Sequence, residues 1–175
     1  MGAEQAGADE RRESFLALYD GALPEVYGYL SARCGAAALA EELTAETFLA
    51  AVDAVRREPP TPVNVAWLIG VARHKLVDHW RAEERRDRRF QLLTTLRPPD
   101  EEPWEVELDA LRVREVLGEL SPQHRAVLSL RYLDDLPVAE VAELLGRTLH
   151  ATEALLARAR AAFRGSYGGS GADDE

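Results

Sequence analysis

Apolar positions recur at three- and four-residue spacing along almost the whole chain, and no stretch alternates in the manner of a half-buried strand. The pattern predicts helices only. The first runs from Arg12 to Cys34 and turns Phe15, Leu18, Tyr19, Val26, Tyr27 and Leu30 inward; Pro24 should kink or split it, and Gly35 stops it. The second, Ala37 to Arg57, buries Leu39, Leu43, Phe48, Leu49 and Val52. Glu58-Pro59-Pro60-Thr61-Pro62 then forms a stiff loop. A third helix, or a pair, covers Asn64 to Phe90 with Trp67, Leu68, Val71, Leu76, Val77 and Trp80 along its apolar side.

The periodicity lapses at Arg97-Pro98-Pro99-Asp100-Glu101-Glu102-Pro103, which has the composition of an interdomain linker. It resumes from Trp104 to Glu119. Ser121-Pro122 is a helix-start signature, an N-cap followed by proline at the first helical position, for a helix ending near Leu133. A short helix from Val138 to Leu145, Gly146, and a helix from Leu149 to Arg164 complete the pattern. The organisation is therefore a flexible stretch 1–11, a helical domain 12–92, a flexible acidic proline-rich linker 93–105, a second helical domain 106–164 and a disordered tail 165–175. The expected fold is all-α, in two small helical domains.

Composition narrows the functional classes. Apolar residues make up 46% of the 175 positions, enough to build hydrophobic cores. No apolar run reaches the roughly 18 residues of a membrane span, so no membrane association is expected. The first residues, MGAEQAGADERRE, are polar and acidic, unlike a signal peptide; Met1-Gly2 would suit myristoylation, but Ala6 stands where Ser or Thr is wanted. A single cysteine, Cys34, excludes an internal disulfide and a cysteine-based metal framework, which fits a reducing cytoplasm. The net charge of −10 would disfavour contact with phosphate if it were spread evenly. It is not. Seven Arg and Lys face four acids between Arg73 and Arg89, whereas six acids and no base lie between Pro98 and Asp109. A basic stripe beside an acidic strap suggests one surface for DNA and another for a basic partner.

Catalytic signatures are missing: the chain has no phosphate-binding glycine loop and no HExxH, and Cys34 has no evident histidine partner, so neither an enzyme nor a cofactor is expected. His74 and His79, five apart on one helix, do not share a face well enough to bind a metal. The segment PVAEVAELLGRTLHATEALLARARAAFR reads as helix, tight turn, helix. In a DNA-binding arrangement its second helix enters the major groove, with Arg147, His150, Arg158, Arg160 and Arg164 as donors. The same pattern suits a plain helical hairpin in a bundle. The stretch WLIGVARHKLVDHWRAEERRDRR offers an apolar face for a core and a basic face, Arg73, Lys75, Arg81, Arg85, Arg86, Arg88 and Arg89, for phosphates. In AEELTAETF, Glu41, Glu42 and Glu46 form either a solvated acidic face or a docking patch for a basic surface.

Taken in order, FLALYDGALPEVYGYL, AEELTAETFLAA, AWLIGVARHKLVDHWR, the acidic linker and LGELSPQHRAVLSLRYLDDLPVAEVAELLG resemble the extracytoplasmic-function (group IV) sigma factors of bacterial RNA polymerase, from about Phe15 to Arg164. The resemblance implies a first domain, region two, that binds the clamp helices of core polymerase and melts the minus-ten element. It implies a second, region four, that reads the minus-thirty-five element and touches the polymerase flap. Glu41, Glu42, Thr44 and Glu46 would be the clamp contact. Arg73, His74, Lys75, Asp78, Arg81, Arg85 and Arg86, behind the loop Glu58 to Val65, would face minus-ten DNA. Arg147, His150, Ala151, Glu153 and Arg158 would face upstream DNA. An anti-sigma factor that covers the polymerase-binding faces is a further expectation of the family.

Two positions depart from its motifs. His74 stands where the family usually has Asn, and in the recognition helix Glu153 and Leu155 replace the usual Lys and Arg. A carboxylate repels phosphate but accepts a hydrogen bond from cytosine, so upstream preference should differ from the family norm or region four should bind DNA weakly. A stand-alone helix-turn-helix regulator and a DNA-free helical interaction protein remain as alternatives.

Overall fold

The computed structural model describes the backbone of residues 2–57, 59, 61–90 and 109–169, and within these bounds side chains from 13 to 86 and from 109 to 168. Among the described residues there are seven α-helices and no strand: α1 (Gly2–Cys34), α2 (Ala37–Arg56), α3 (Val65–Phe90), α4 (Ala110–Glu119), α5 (Pro122–Leu128), α6 (Val138–Leu145) and α7 (Leu149–Gly169). The expected linker 93–105 and the helix start at Trp104 lie outside the described residues. The chain divides into two compact units between Leu76 and Val77, within α3.

In the first unit, α1 begins at Gly2 rather than Arg12; Ala, Glu, Gln and Arg in its opening residues are strong helix formers. Pro24 neither splits nor ends α1. It lies on an exposed face of the helix, where water can hydrate a carbonyl that a proline leaves without its helical partner. The buried stripe runs Ala22, Val26, Leu30, Cys34, at four-residue spacing. Tyr27, expected inside, falls one position off that stripe and is exposed. Arg33 is buried at the end of α1, where its guanidinium donates to the Tyr29 carbonyl at 2.8 Å and lies 3.8 Å from the Tyr29 ring centroid.

Helix α2 packs on α1 through Ala40, Leu43, Phe48, Ala51 and Ala54, with the Phe48 ring edge-on to Tyr19 at 4.7 Å. Leu49, expected in this core, is 65% exposed. Its place inward is taken by two threonines. Thr44 and Thr47 are buried, and each hydroxyl donates to the carbonyl one turn back, Thr44 to Ala40 at 2.6 Å and Thr47 to Leu43 at 2.7 Å. With the hydroxyl satisfied, threonine packs as a small branched residue. Asn64 starts α3, its side-chain oxygen accepting from the Trp67 amide at 2.8 Å. Leu68, Ala72, Leu76, Val77 and Trp80 form the buried side of α3.

The second unit is organised by helix ends. Asp109 caps α4 by accepting from the Leu111 amide at 3.0 Å. At the other end of α4, Arg125 of α5 donates to the carbonyls of Leu117 (2.7 Å), Gly118 (2.8 Å) and Leu120 (3.1 Å). One cation thereby satisfies orphan carbonyls where the helix dipole is negative. Helix α5 starts at Pro122 as expected and continues as a wider, π-type turn over Ser129–Leu133 that leaves Tyr132 and Leu133 exposed. Helices α4, α5 and α6 all pack on α7, whose buried stripe is Thr152, Leu155, Leu156, Ala159 and Phe163. Helix α7 runs past Arg164 into the expected tail. Tyr167 stacks on Phe163 at 5.6 Å and its hydroxyl accepts the Asp109 amide at 3.1 Å, while Arg112 donates to the Ser166 carbonyl at 3.2 Å.

Two predictions follow from this packing. Replacing Arg125 by Ala should lower the stability of the second unit by about 2 kcal/mol, since charge-assisted hydrogen bonds to buried carbonyls are lost together. The urea midpoint checks it; a midpoint equal to the parent's would remove Arg125 from this role. His124 provides the other. Burial on α5, and then the neighbouring positive charge of Arg158, lower its pKa from the ordinary 6.5. The unfolded chain therefore binds the proton more readily, and the His124 contribution is fully present above 6.5 and fades as pH falls below it. Stability of His124→Asn should depend less on pH across that window than the parent's, measured by denaturant unfolding on both sides of it.

Candidate nucleic-acid and protein interface

On α2, Glu42, Glu46, Leu49 and Asp53 are exposed and lie within one narrow stripe, since steps of four, three and four residues return to nearly the same face. Glu41 is exposed beside it. Thr44, expected in this group, is buried and hydrogen-bonded to Ala40, so it is a core residue and not part of the surface. Asp53 and Leu49 were not among the expected site residues. The helical period was the signal that could have found them.

The basic residues of α3 do not form one patch. His74, Asp78, Arg81 and Arg85 share a stripe, Lys75 and Arg86 lie roughly 100° round the helix from it, and Arg73 roughly 100° the other way. His74, Asp78, Arg85 and Arg86 are exposed; Arg73, Lys75 and Arg81 are half-buried. Lys75 reaches Glu46 of α2 at 2.9 Å, pairing a residue expected to face DNA with one expected to face polymerase. The pair is partly solvated and contributes little to stability. Trp80 is in the core, 2% exposed, and is not available for stacking on bases.

The helix-turn-helix is formed by α6 and α7. Gly146 ends α6 in the left-handed region at φ 64°, where a side chain would be strained, and the Arg147 amide closes back on the Ala142 carbonyl at 2.9 Å. Val141 and Ala142 are buried on the α6 side. Thr148 caps α7, accepting from the Ala151 amide at 3.2 Å. The first turns of α7 then present Leu149, His150 and Glu153 to solvent, with Ala151 and Arg158 half-buried. Leu155 is 1% exposed. The departure from the family motif at Leu155 therefore alters the core and not the surface, and only Glu153 changes the exposed face of the helix. Arg147 is held inward by Glu84 of α3 and by Gln123 of α5 at 3.4 Å.

Among the described residues no group of His, Cys, Asp and Glu is placed to hold a metal ion, and no helix is long and apolar enough to cross a membrane.

Comparison with known proteins gives the family. Residues 18–86 match the model of sigma-70 region 2, and residues 110–163 match that of sigma-70 region 4. The chain is 34% identical to the ECF RNA polymerase sigma factor SigL of Mycobacterium tuberculosis over 139 residues, which cover 74% of this chain and 75% of that protein. It is 32% identical to the ECF RNA polymerase sigma factor BldN of Streptomyces coelicolor over 167 residues, 89% of this chain, and spans 61% of that relative's length. Among solved structures, the sigma factor RpoE of Bartonella quintana, crystallised with the anti-sigma factor NepR, shares the fold with a TM-score of 0.51 at 17% identity, covering 92% of this chain and 99% of RpoE. With both regions matched in order, and a relative this similar over three-quarters of its length, the chain belongs to the family of ECF RNA polymerase sigma factors.

Proposed function

We propose that the chain binds core RNA polymerase and directs promoter-specific initiation, acting as an initiation factor with no catalysis of its own and working in the cytoplasm, where its polymerase and promoter partners are. The observation that carries this reading is the presence, in one chain, of region 2 with an exposed acidic stripe on α2 and region 4 with a capped recognition helix. A stand-alone helix-turn-helix regulator would need neither region 2 nor that stripe.

The stripe Glu42, Glu46, Leu49 and Asp53 has the composition of a protein-docking face: carboxylates to steer a basic partner, and one exposed leucine at the centre to desolvate against it. This face is the proposed seat of the polymerase clamp helices, with the flap as a second contact on region 4. Exposed His74, Asp78, Arg85 and Arg86 on α3 are the proposed minus-ten side, and Leu149, His150 and Glu153 the upstream side. An anti-sigma factor that covers these faces is the proposed means of control.

Charge reversal tests the docking face. Glu42→Lys with Asp53→Lys should weaken binding to core polymerase by about 2–5 kcal/mol if the contact is desolvated, with helix content unchanged. Both residues are exposed, so the fold has no stake in them. Binding of the double variant as tight as the parent's would move the docking site elsewhere.

Upstream recognition rests on few contacts. Replacing Glu153 by Lys should raise affinity of the holoenzyme for DNA of any sequence and steepen its salt dependence by about one unit of log–log slope. It should also relax preference at one or two upstream bases, each about 1–3 kcal/mol. A panel of upstream sequences distinguishes the two effects: a common shift in every affinity, with the ranking preserved, means that Glu153 reads no base.

A further inference from the structure

The exposed side of α7 has a chemical order along it. Thr148 closes the first turn by accepting the Ala151 amide at 3.2 Å, and its carbonyl accepts the Thr152 hydroxyl at 3.0 Å, so the first two turns are held from within. Thr152, Leu155, Leu156 and Ala159 are buried on the other side. Leu149, His150 and Glu153 are left exposed. Leu149 and Glu153 lie about 40° apart round the helix and about 6 Å apart along it, so their side chains leave it in the same direction. Leu149 is 49% exposed, and that half of its surface takes no part in the core.

From Thr148 to Ala157 the sequence has no Lys, Arg, Asn or Gln, and Arg147 precedes the cap. Positive charge returns to the side of Leu149 and Glu153 at Arg160 and Arg164, two and three turns beyond Glu153. A reading end of this composition selects by what it lacks. In the major groove guanine shows two acceptors, N7 and O6, which a guanidinium or ammonium reads and a carboxylate repels. The ring nitrogens of His150 point apart and cannot grip both acceptors of one guanine. Cytosine shows an amino donor, which a carboxylate accepts. Adenine shows an amino donor beside the N7 acceptor, so one carboxylate oxygen gains there while the other loses. Thymine shows a methyl group, which an apolar side chain covers.

We propose that Leu149 and Glu153 are a specificity pair for upstream promoter DNA: Leu149 covers a thymine methyl, and Glu153 accepts from the amino group of a cytosine within about two base pairs of it. This rests on the upstream reading of α7 given under the proposed function. The pair deepens that reading by fixing the chemistry of the bases, a methyl and an amino donor in place of the guanine acceptors that a basic recognition helix takes.

The test uses holoenzyme, the full chain with core polymerase, and a library of promoter duplexes randomised through the upstream segment. Bound duplexes should be enriched in a thymine and a cytosine no more than about two base pairs apart. Replacing that thymine by uracil keeps the base pair and removes the methyl alone. The parent's affinity should then fall about fourfold. Leu149→Ala should bind both duplexes equally, whereas Leu111→Ala, at an exposed leucine of α4, should keep the parent's fall. Glu153→Gln exchanges a carboxylate for an amide, which pairs with adenine, and should move the preference from cytosine to adenine by about tenfold with the other positions ranked as before. A purely structural role for either residue would shift all sequences together. Enrichment without the thymine and cytosine overturns the pair. So does methyl dependence that survives in Leu149→Ala, a cytosine preference that survives in Glu153→Gln, or a guanine preference that is lost in Arg147→Ala; each of these leaves the upstream reading of region 4 standing. A parent holoenzyme that ranks no upstream sequence above another overturns both.

Discussion

The second unit depends on how the end of α4 is closed. A helix leaves its last carbonyls without partners, and in a domain this small they are not all turned to water. Arg125 satisfies three of them from the next helix. The corner between α4 and α5 is thereby fixed by directional bonds rather than by apolar contact alone. From that corner α5 is laid along α7, and α7 carries the stripe Thr152, Leu155, Leu156, Ala159 and Phe163 that the other helices cover. The exposed face of α7, the proposed recognition surface, is the reverse of that stripe. Its first exposed residues, Leu149, His150 and Glu153, are aimed by a core they take no part in.

A comparable economy shapes α2. Burying Thr44 and Thr47 looks costly until their hydroxyls are seen bonded to the carbonyls one turn back. They fill the buried side of α2 without a large side chain, and the exposed side is left for Glu42, Glu46, Leu49 and Asp53. Lys75 then ties Glu46 to α3, so the acidic face and part of the basic helix meet as charges of opposite sign. The exposed carboxylates Glu42, Glu46 and Asp53 stand on α2 and the exposed guanidiniums Arg85 and Arg86 on α3, so the net charge of −10 is unevenly placed.

Much of this was legible in the sequence because helical period is a strong signal. Gly146 marked the turn, Ser121-Pro122 the start of α5, and the ordered motifs the family. The failures have specific causes. Tyr27 and Leu49 are apolar but fall just off the buried stripes, and composition alone assigned them inward. Thr44 read as a surface contact because a polar side chain gives no sign that its own backbone will satisfy it. Leu155 read as a lost DNA contact because a motif comparison does not say which face of a helix a position occupies. Pro24 read as a kink or a split, and the helix runs through it unsplit, with the proline on an exposed face. The pairing of Arg147 with Glu84 joins positions far apart in sequence, and no local pattern announces it.

Tyr167 has a consequence of another kind. By accepting the Asp109 amide while stacked on Phe163, it brings the last helix back to the residue that opens the first helix of the α4–α7 segment. In topological terms that segment is nearly a ring whose seam lies between Asp109 and Tyr167. Proteins whose ends lie together tolerate circular permutation and insertion into another chain. The α4–α7 segment is thus built as a portable cassette: joined across its seam and cut at an exposed connection, it would keep the same set of helix contacts in a different chain order.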